Sequence, residues 1–150
     1  MSIEALGERA SELHLKGYNC AQAVLLVLFE HMNPNGKNEA IPKIATGFGG
    51  GIGRCGSVCG ALTGAVMAVG LKYGAHDNNP GNKTLTTSKA QALYRNFESI
   101  YGSVNCRDLI QCDISTPQGL AKAKQENAFE TICSKLIKTV VKDFLELEKH

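Results

Sequence analysis

The chain has 150 residues, of which 43% are hydrophobic, and a net charge of +2 at pH 7. A chain of this length can bury a core of its own, so its six cysteines are not needed as disulfide staples. No lysine or arginine cluster stands out and tryptophan is absent, which argues against nucleic-acid binding. Because the N-terminus lacks a signal-peptide core and no apolar run reaches the roughly 20 residues of a bilayer span, we expect a cytoplasmic protein without a membrane span.

Helical periodicity marks the first part of the chain. Residues 2–16 repeat apolar side chains at the spacing of an amphipathic helix, which Gly17 ends. Asn19 is a good N-cap for a second helix, with Gln22 as its capping-box partner. That helix runs to residues 31–33, is apolar on most sides, and is expected to be the central buried helix. A short helix is predicted at residues 39–45.

Glycines then crowd residues 46–57, which form the Gly-rich loop. Ser57 suits the N-cap of a helix from Val58 to about Tyr73. Residues 75–83 are polar and predict an exposed loop.

Three further helical segments are predicted. The first runs from about residue 84 to residue 101. Asn105 is placed to cap a short turn of helix, with Asp108 in the box position. Pro117 opens a last helix, expected to continue to about residue 148, because proline suits the first helical position.

No segment alternates apolar and polar residues with the period of two that a half-buried strand requires. The chain is therefore predicted to be one helical, redox-type domain over residues 1–150. Its expected fold is an all-α bundle of about five to six helices, with the Gly-rich loop preceding a buried helix. His14 and His31 lie at helix ends, where histidine is typical of a dipole partner, and His150 is expected to be solvated.

Three cysteines fall in the first turn of a predicted helix: Cys20 and Cys106 at the first position and Cys59 at the second. Unpaired backbone N–H groups and the helix dipole favour a thiolate there, so these thiols are expected to have a lowered pKa. The alternative interpretation is that each is a small hydrophobic residue tolerated near a helix end.

The other cysteines have different settings. Cys55 lies on the Gly-rich loop and could fold back to meet Cys59 as a resolving thiol. Cys112 is six residues after Cys106, so the two could converge only across a turn. Cys133 follows the spacing of the last helix and is interpreted as a core residue, with the alternative that it completes a metal site.

The Gly-rich loop resembles phosphate-binding loops only in part. It lacks the full G-x-G-x-x-G pattern, a preceding strand and the Walker lysine, so a nucleotide site is poorly supported. The candidate cofactor contacts on this loop are Gly49, Gly50, Gly51 and Gly53. Close packing is the simpler interpretation, and Gly60 and Gly64 would let another helix approach closely.

These motifs resemble the redox-active proteins named for the cysteine pattern C_GCAxxG_C_C. The resemblance rests on residues 17–24, on residues 48–64, and on Cys106 and Cys112 followed by Thr116-Pro117, within about residues 11–135. Cys20, the run Cys59-Gly60-Ala61-x-x-Gly64, Cys106 and Cys112 match the named positions, although Gly-Cys-Ala is replaced by Val58-Cys59-Gly60-Ala61. Cys55 and Cys133 lie outside the name pattern. The resemblance implies a helical, redox-active protein related to modules found with multihaem cytochromes, and no particular substrate.

The leading hypothesis is a thiol redox or electron-transfer protein, with oxidoreductase activity left open. Cys59 and Cys20 would supply thiolates, and Cys55, Cys106 or Cys112 would form a reversible disulfide with them. A redox partner protein or a small-molecule electron donor would dock at the Gly-rich loop.

Two alternatives remain. In the first, four of the five cysteines other than Cys133 hold Zn²⁺ or an iron–sulfur cluster. In the second, the protein is a non-enzymatic homodimer without a cofactor, joined through its second helix and the Gly60/Gly64 face, and the cysteines are structural.

Overall fold

The computed structural model describes residues 1–149, so the expectation for His150 lies outside the described residues. Eight α-helices are present in this part of the chain: α1 (Ile3–Leu15), α2 (Cys20–Met32), α3 (Ala40–Ile44), α4 (Gly60–Tyr73), α5 (Pro80–Tyr101), α6 (Cys106–Ile110), α7 (Pro117–Gln125) and α8 (Ser134–Leu147). A short 3₁₀ turn at Thr46–Phe48 and a π-helical segment at Phe129–Cys133 complete the regular structure. The predicted all-α fold is confirmed, with more helices than expected.

Helices α2 and α4 pack together at the centre of the core. The predicted capping box of α2 is present: the N–H of Gln22 donates to Asn19 Oδ1 (2.9 Å), and the N–H of Asn19 donates to Gln22 Oε1 (3.1 Å). A side chain at Gly64 would lie 2.7 Å from the carbonyl oxygen of Ala21, so glycine is what allows the two helices to approach. The Gly60/Gly64 face is therefore covered by α2 within the chain, and the prediction that it joins two copies is wrong.

The remaining long helices surround this pair. Helix α1 packs on α8, and α5 packs on α4 and α8. The rings of Phe97 and Phe144 are fully buried between them. A buried hydroxyl pair, Ser11 and Ser134, joins α1 to α8 at 3.0 Å. None of the helices within residues 1–149 combines the length and apolar character needed to cross a membrane.

Two helix boundaries outside the segment around Cys59 differ from the prediction. Helix α5 begins at Pro80, because Asn79 accepts a bond from the N–H of Asn82 (3.1 Å) and caps the helix there. The predicted continuous helix from Pro117 to about residue 148 is wrong. It is interrupted after Gln125, where Asn127 takes a left-handed conformation (φ 55°) that ends the helical hydrogen bonding.

Candidate thiol site

Two short extended segments pair just before α4 and α6. Val58 lies opposite Asn105 in an isolated antiparallel bridge. The N–H of Cys59 donates to the carbonyl of Val104 (2.8 Å) on one side of this bridge. Side chains alternate between the two faces of an extended backbone. Ser57 and Cys59 therefore lie on the same face, opposite to the face of Val58.

The same bridge fixes Cys106. Its N–H donates to the carbonyl of Ser57 (2.7 Å), which places Cys106 diagonally across from Cys59 on one face of the paired segments. Because Ser57 and Val58 are held in the bridge, α4 begins at Gly60 and Cys59 is its N-cap. The prediction that Ser57 caps this helix and that Cys59 is its second residue is therefore wrong. Cys106 is the first residue of α6, as predicted.

Cys20 is the first residue of α2, as predicted. Its sulfur lies directly against Gly60, where an added side chain would overlap it. Backbone N–H groups of Gly50, Ala21 and Gly60 point toward this sulfur and favour its thiolate form. Asn19, the residue before it, donates from Nδ2 to the carbonyl of Thr46 (2.8 Å) and ties the Gly-rich loop over the helix start.

The Gly-rich loop contains a left-handed turn that was not predicted from the sequence. Five consecutive residues have positive φ: Gly50 (67°), Gly51 (74°), Ile52 (64°), Gly53 (56°) and Arg54 (62°). A left-handed conformation costs about 1–2 kcal/mol at each residue that carries a side chain, so Ile52 and Arg54 are strained. The N–H of Gly56 donates to the carbonyl of Gly50 (3.0 Å) and helps to close the turn. The density of glycines is the only sequence signal for this turn.

Four cysteines line one small enclosed cavity of about 10 Å³, called here the four-thiol cavity: Cys20, Cys59, Cys106 and Cys133. Apolar side chains complete its wall, among them Leu109, Ile110 and Leu136. The volume is near the minimum that holds one water molecule. Cys133 is not part of the leading hypothesis drawn from the sequence, because its spacing is that of a core residue.

The structure does not bring Cys55 or Cys112 to this cavity. Cys55 is exposed on the loop, with its sulfur 3.8 Å from the carbonyl oxygen of Gly53. Cys112 is buried beside Cys106 and Ile110 in a small neighbouring apolar cluster. Among residues 1–149, no group of three or more His, Cys, Asp or Glu side chains is placed to hold a metal ion.

The expectation of thiols with a lowered pKa is wrong for the cavity. Burial raises the pKa of all four thiols, that of Cys106 to about 11. A charge on Cys20 would raise the pKa of each of the other three further, because a second negative charge nearby is repelled. Helix N–H groups lower the pKa of Cys20 and Cys59, but loss of solvation is the larger effect.

A cleft of about 320 Å³ lies on the outer side of Cys20 and Cys133, called here the thiol cleft. Both cysteines therefore line the four-thiol cavity and the thiol cleft. Cys20 is partly exposed, whereas Cys59, Cys106 and Cys133 are 4%, 8% and 9% exposed. Of the predicted loop glycines, Gly49 and Gly50 line the cleft and Gly51 and Gly53 do not.

Comparison with known proteins agrees with the motifs. The model of the family described as "Putative redox-active protein (C_GCAxxG_C_C)" matches residues 18–147. A protein of Archaeoglobus fulgidus, described as an uncharacterized protein, is 34% identical over 113 residues, which cover 71% of this chain and 74% of that protein. No solved structure matches the chain. Because the family match runs from the start of α2 to the end of α8, the chain belongs to the C_GCAxxG_C_C family.

Proposed function

We propose that this protein is a thiol–disulfide redox protein in which Cys20 is the cleft-facing thiol and Cys59 its partner. One observation supports this above all: of the two cysteines that line both the thiol cleft and the four-thiol cavity, Cys20 is partly exposed whereas Cys133 is buried. Cys20 can meet a substrate on one side and a second thiol on the other. Cys59 is the favoured partner because the sulfur of Cys20 lies against Gly60, the next residue after Cys59.

The proposed reaction is the reduction of a disulfide by two thiols. Cys20 loses its proton and attacks one sulfur of the substrate disulfide. A mixed disulfide forms, the substrate S–S bond breaks, and the first substrate thiolate leaves and takes up a proton. Cys59 then loses its proton and attacks the sulfur of Cys20, which releases the second substrate thiol. Two electrons and two protons pass to the substrate, and a Cys20–Cys59 disulfide remains.

The reverse exchange with a dithiol donor restores the two protein thiols. That donor is proposed to be a small redox protein or a low-molecular-weight dithiol. The cytoplasm is the compartment that suits this cycle, since its reducing conditions keep cysteines as thiols between turnovers.

A disulfide-reduction assay with matched variants tests the proposal. The reduced protein is mixed with a small disulfide, and the released thiols and the protein mass are followed over time. We expect one disulfide to be consumed per protein, with a mass loss of two hydrogens. Cys20→Ser is expected to abolish the reaction, and Cys59→Ala is expected to stop it at the mixed disulfide.

Cys55→Ser is the matched control, because Cys55 is exposed and lies outside the four-thiol cavity. It should react like the unaltered protein, and circular dichroism should show that every variant is folded. Full disulfide reduction by a folded Cys20→Ser variant would refute the assignment of the cleft-facing thiol.

A second candidate function is metal binding, because four thiols line one cavity. The four sulfurs are not placed to hold an ion as they stand, so they would have to move closer together to bind one. The ligands would be Cys20, Cys59, Cys106 and Cys133, a set that suits tetrahedral Zn²⁺. The raised pKa values mean that an ion would have to displace the thiol protons, and the small cavity would have to open for a cluster of several irons.

Native mass spectrometry of protein purified without oxygen tests this second candidate. Binding of one Zn²⁺ that is lost in Cys133→Ala and kept in Cys112→Ala would support it. Folded protein that stays free of metal in the presence of excess Zn²⁺ would rule it out.

A further inference from the structure

The shape of the thiol cleft suits a small molecule better than a protein surface. Its volume of about 320 Å³ lies within the range of small-molecule sites, roughly 300–1,000 Å³. It is concave, and Cys20 and Cys133 lie in its wall. Apolar side chains of Ile114, Leu120 and Phe129 supply surface for the carbon chain of a ligand.

The charged groups of this cleft leave an excess of positive charge. Arg54 and Lys124 line it, and neither takes part in a salt bridge within residues 1–149. Glu130 is the acidic group of the cleft and lies near His14 and Cys133. Burial lowers the pKa of His14, so this imidazole is neutral at pH 7 and does not add to the charge.

The left-handed turn is what carries Arg54 to this cleft. The N–H of Arg54 donates to the carbonyl of Gly49 (3.0 Å), so the chain returns to the point where the turn began. Gly49, Gly50 and Arg54 consequently line the same cleft. The strained backbone of Arg54 thus brings a cation to the cleft that Cys20 also lines.

From this arrangement we infer that the thiol cleft binds small disulfides that carry carboxylate groups. Arg54 and Lys124 would hold the carboxylates while one substrate sulfur faces Cys20. The inference rests on the proposed function and names its substrate class. The bonds made and broken are those of the exchange described above.

A pair of similar disulfides tests this inference. Dithiodipropionate carries two carboxylates, and dithiodiethanol is an uncharged analogue. Reduced protein is mixed with each, and the rate of mixed-disulfide formation is read by quenching and intact-mass analysis. Arg54→Gln and Lys124→Gln are each expected to slow the reaction with dithiodipropionate by roughly three- to fivefold. The reaction with dithiodiethanol should change by less than about twofold.

Lys122→Gln is the matched control, since Lys122 is on α7 like Lys124 but does not line the cleft. It removes the same charge and should leave both rates unchanged. Equal slowing of both disulfides by Arg54→Gln and Lys124→Gln, or no slowing of either, would overturn the inference while leaving the thiol chemistry intact.

A dicarboxylate without sulfur separates this inference from the proposed function. Suberate matches dithiodipropionate in length and cannot exchange. We expect suberate to shift the NMR signals of Arg54 and the loop glycines, and the shifts should be lost in the Arg54→Gln, Lys124→Gln double variant. Suberate binding without any disulfide exchange would refute the redox function and keep the anion site. Exchange without suberate binding would refute the anion site alone.

Discussion

At the residue scale, two opposing effects set the pKa of the Cys20 thiol. The backbone N–H groups around its sulfur favour a thiolate, and loss of solvation of the sulfur opposes it with the larger effect, although the residue is partly exposed to the cleft. The pattern that places Cys20 after Asn19 correctly predicts a helix start, but it carries no information on how deeply the sulfur is covered. The low pKa that its position at a helix start predicts for Cys20 is therefore wrong.

The reactivity of Cys20 should therefore rise with pH without levelling off near neutrality. Since burial raises its pKa above the ordinary value of 9.0, its thiolate fraction is still increasing at pH 9. Alkylation of the reduced protein, read peptide by peptide with mass spectrometry, measures this directly. A rate for Cys20 that is constant above pH 7 would show that the helix start prevails over burial.

The stability of the reduced protein should also depend on the Cys106 thiol at high pH. Its pKa is raised from 9.0 to about 11 in the folded protein, so below pH 9 the thiol is protonated in both folded and unfolded chains. As pH rises from 9 through 11, the unfolded chain loses this proton first, and the free energy of unfolding falls. Urea unfolding across this range should show a smaller decrease for Cys106→Ala than for the unaltered protein. An equal decrease in both would contradict the raised pKa.

A substitution at Gly60 tests the packing around the sulfur of Cys20. A Cβ at this position would overlap Cys20 Sγ and lie 3.1 Å from the carbonyl oxygen of Phe48. Gly60→Ala is expected to cost roughly 1–3 kcal/mol of unfolding free energy and to increase the alkylation rate of Cys20. Gly70→Ala, in the same helix with no atom within 4 Å of its added Cβ, should instead stabilise by up to about 1 kcal/mol. Equal effects of the two substitutions would contradict this account of the site.

At the scale of elements, most helices could be predicted from the sequence, whereas the conformations of the loops could not. Apolar spacing and the Asn19–Gln22 capping box predict α2 because both act within one turn of helix. The start of α4 is shifted by a long-range contact, the pairing of Val58 with Asn105, which no local pattern contains. Likewise, the left-handed conformation of Asn127 ends the helical run after α7, where a continuous helix was predicted. The π-helical segment that includes Cys133 follows it.

The left-handed turn of the Gly-rich loop yields a prediction of its own. At Gly51 (φ 74°) an added Cβ would overlap the backbone of Ser57, whereas at Gly53 (φ 56°) it would meet no atom within 4 Å. Gly51→Ala is expected to cost roughly 3 kcal/mol or more, because it also disturbs Ser57, which holds Cys106. Gly53→Ala should cost only about 1–2 kcal/mol of backbone strain. Similar losses in urea unfolding for both would mean that the turn is not closed against Ser57.

At the scale of the whole molecule, the fold class and the family could be predicted from the sequence. Which cysteines line the four-thiol cavity could not. Helical periodicity and the motifs around Cys20 and Cys59 act over short stretches. The cavity instead joins four segments from distant parts of the chain, and Cys133 enters it through the π-helical segment. Apolar spacing alone does not distinguish a core thiol from one that faces other thiols.

A redox titration of the unaltered protein, with the remaining thiols mapped by alkylation and mass spectrometry, tests the central claim most directly. We expect a two-electron couple in which Cys20 and Cys59 lose their thiols while Cys55 and Cys112 keep theirs. Because burial raises the pKa of both thiols, no thiolate stabilises the reduced form. The midpoint should thus lie nearer to about −270 mV, typical of reducing dithiol proteins, than to about −120 mV, typical of strong oxidants. Retention of all six thiols in folded protein at oxidising potentials, or a couple that leaves Cys20 reduced, would contradict the account.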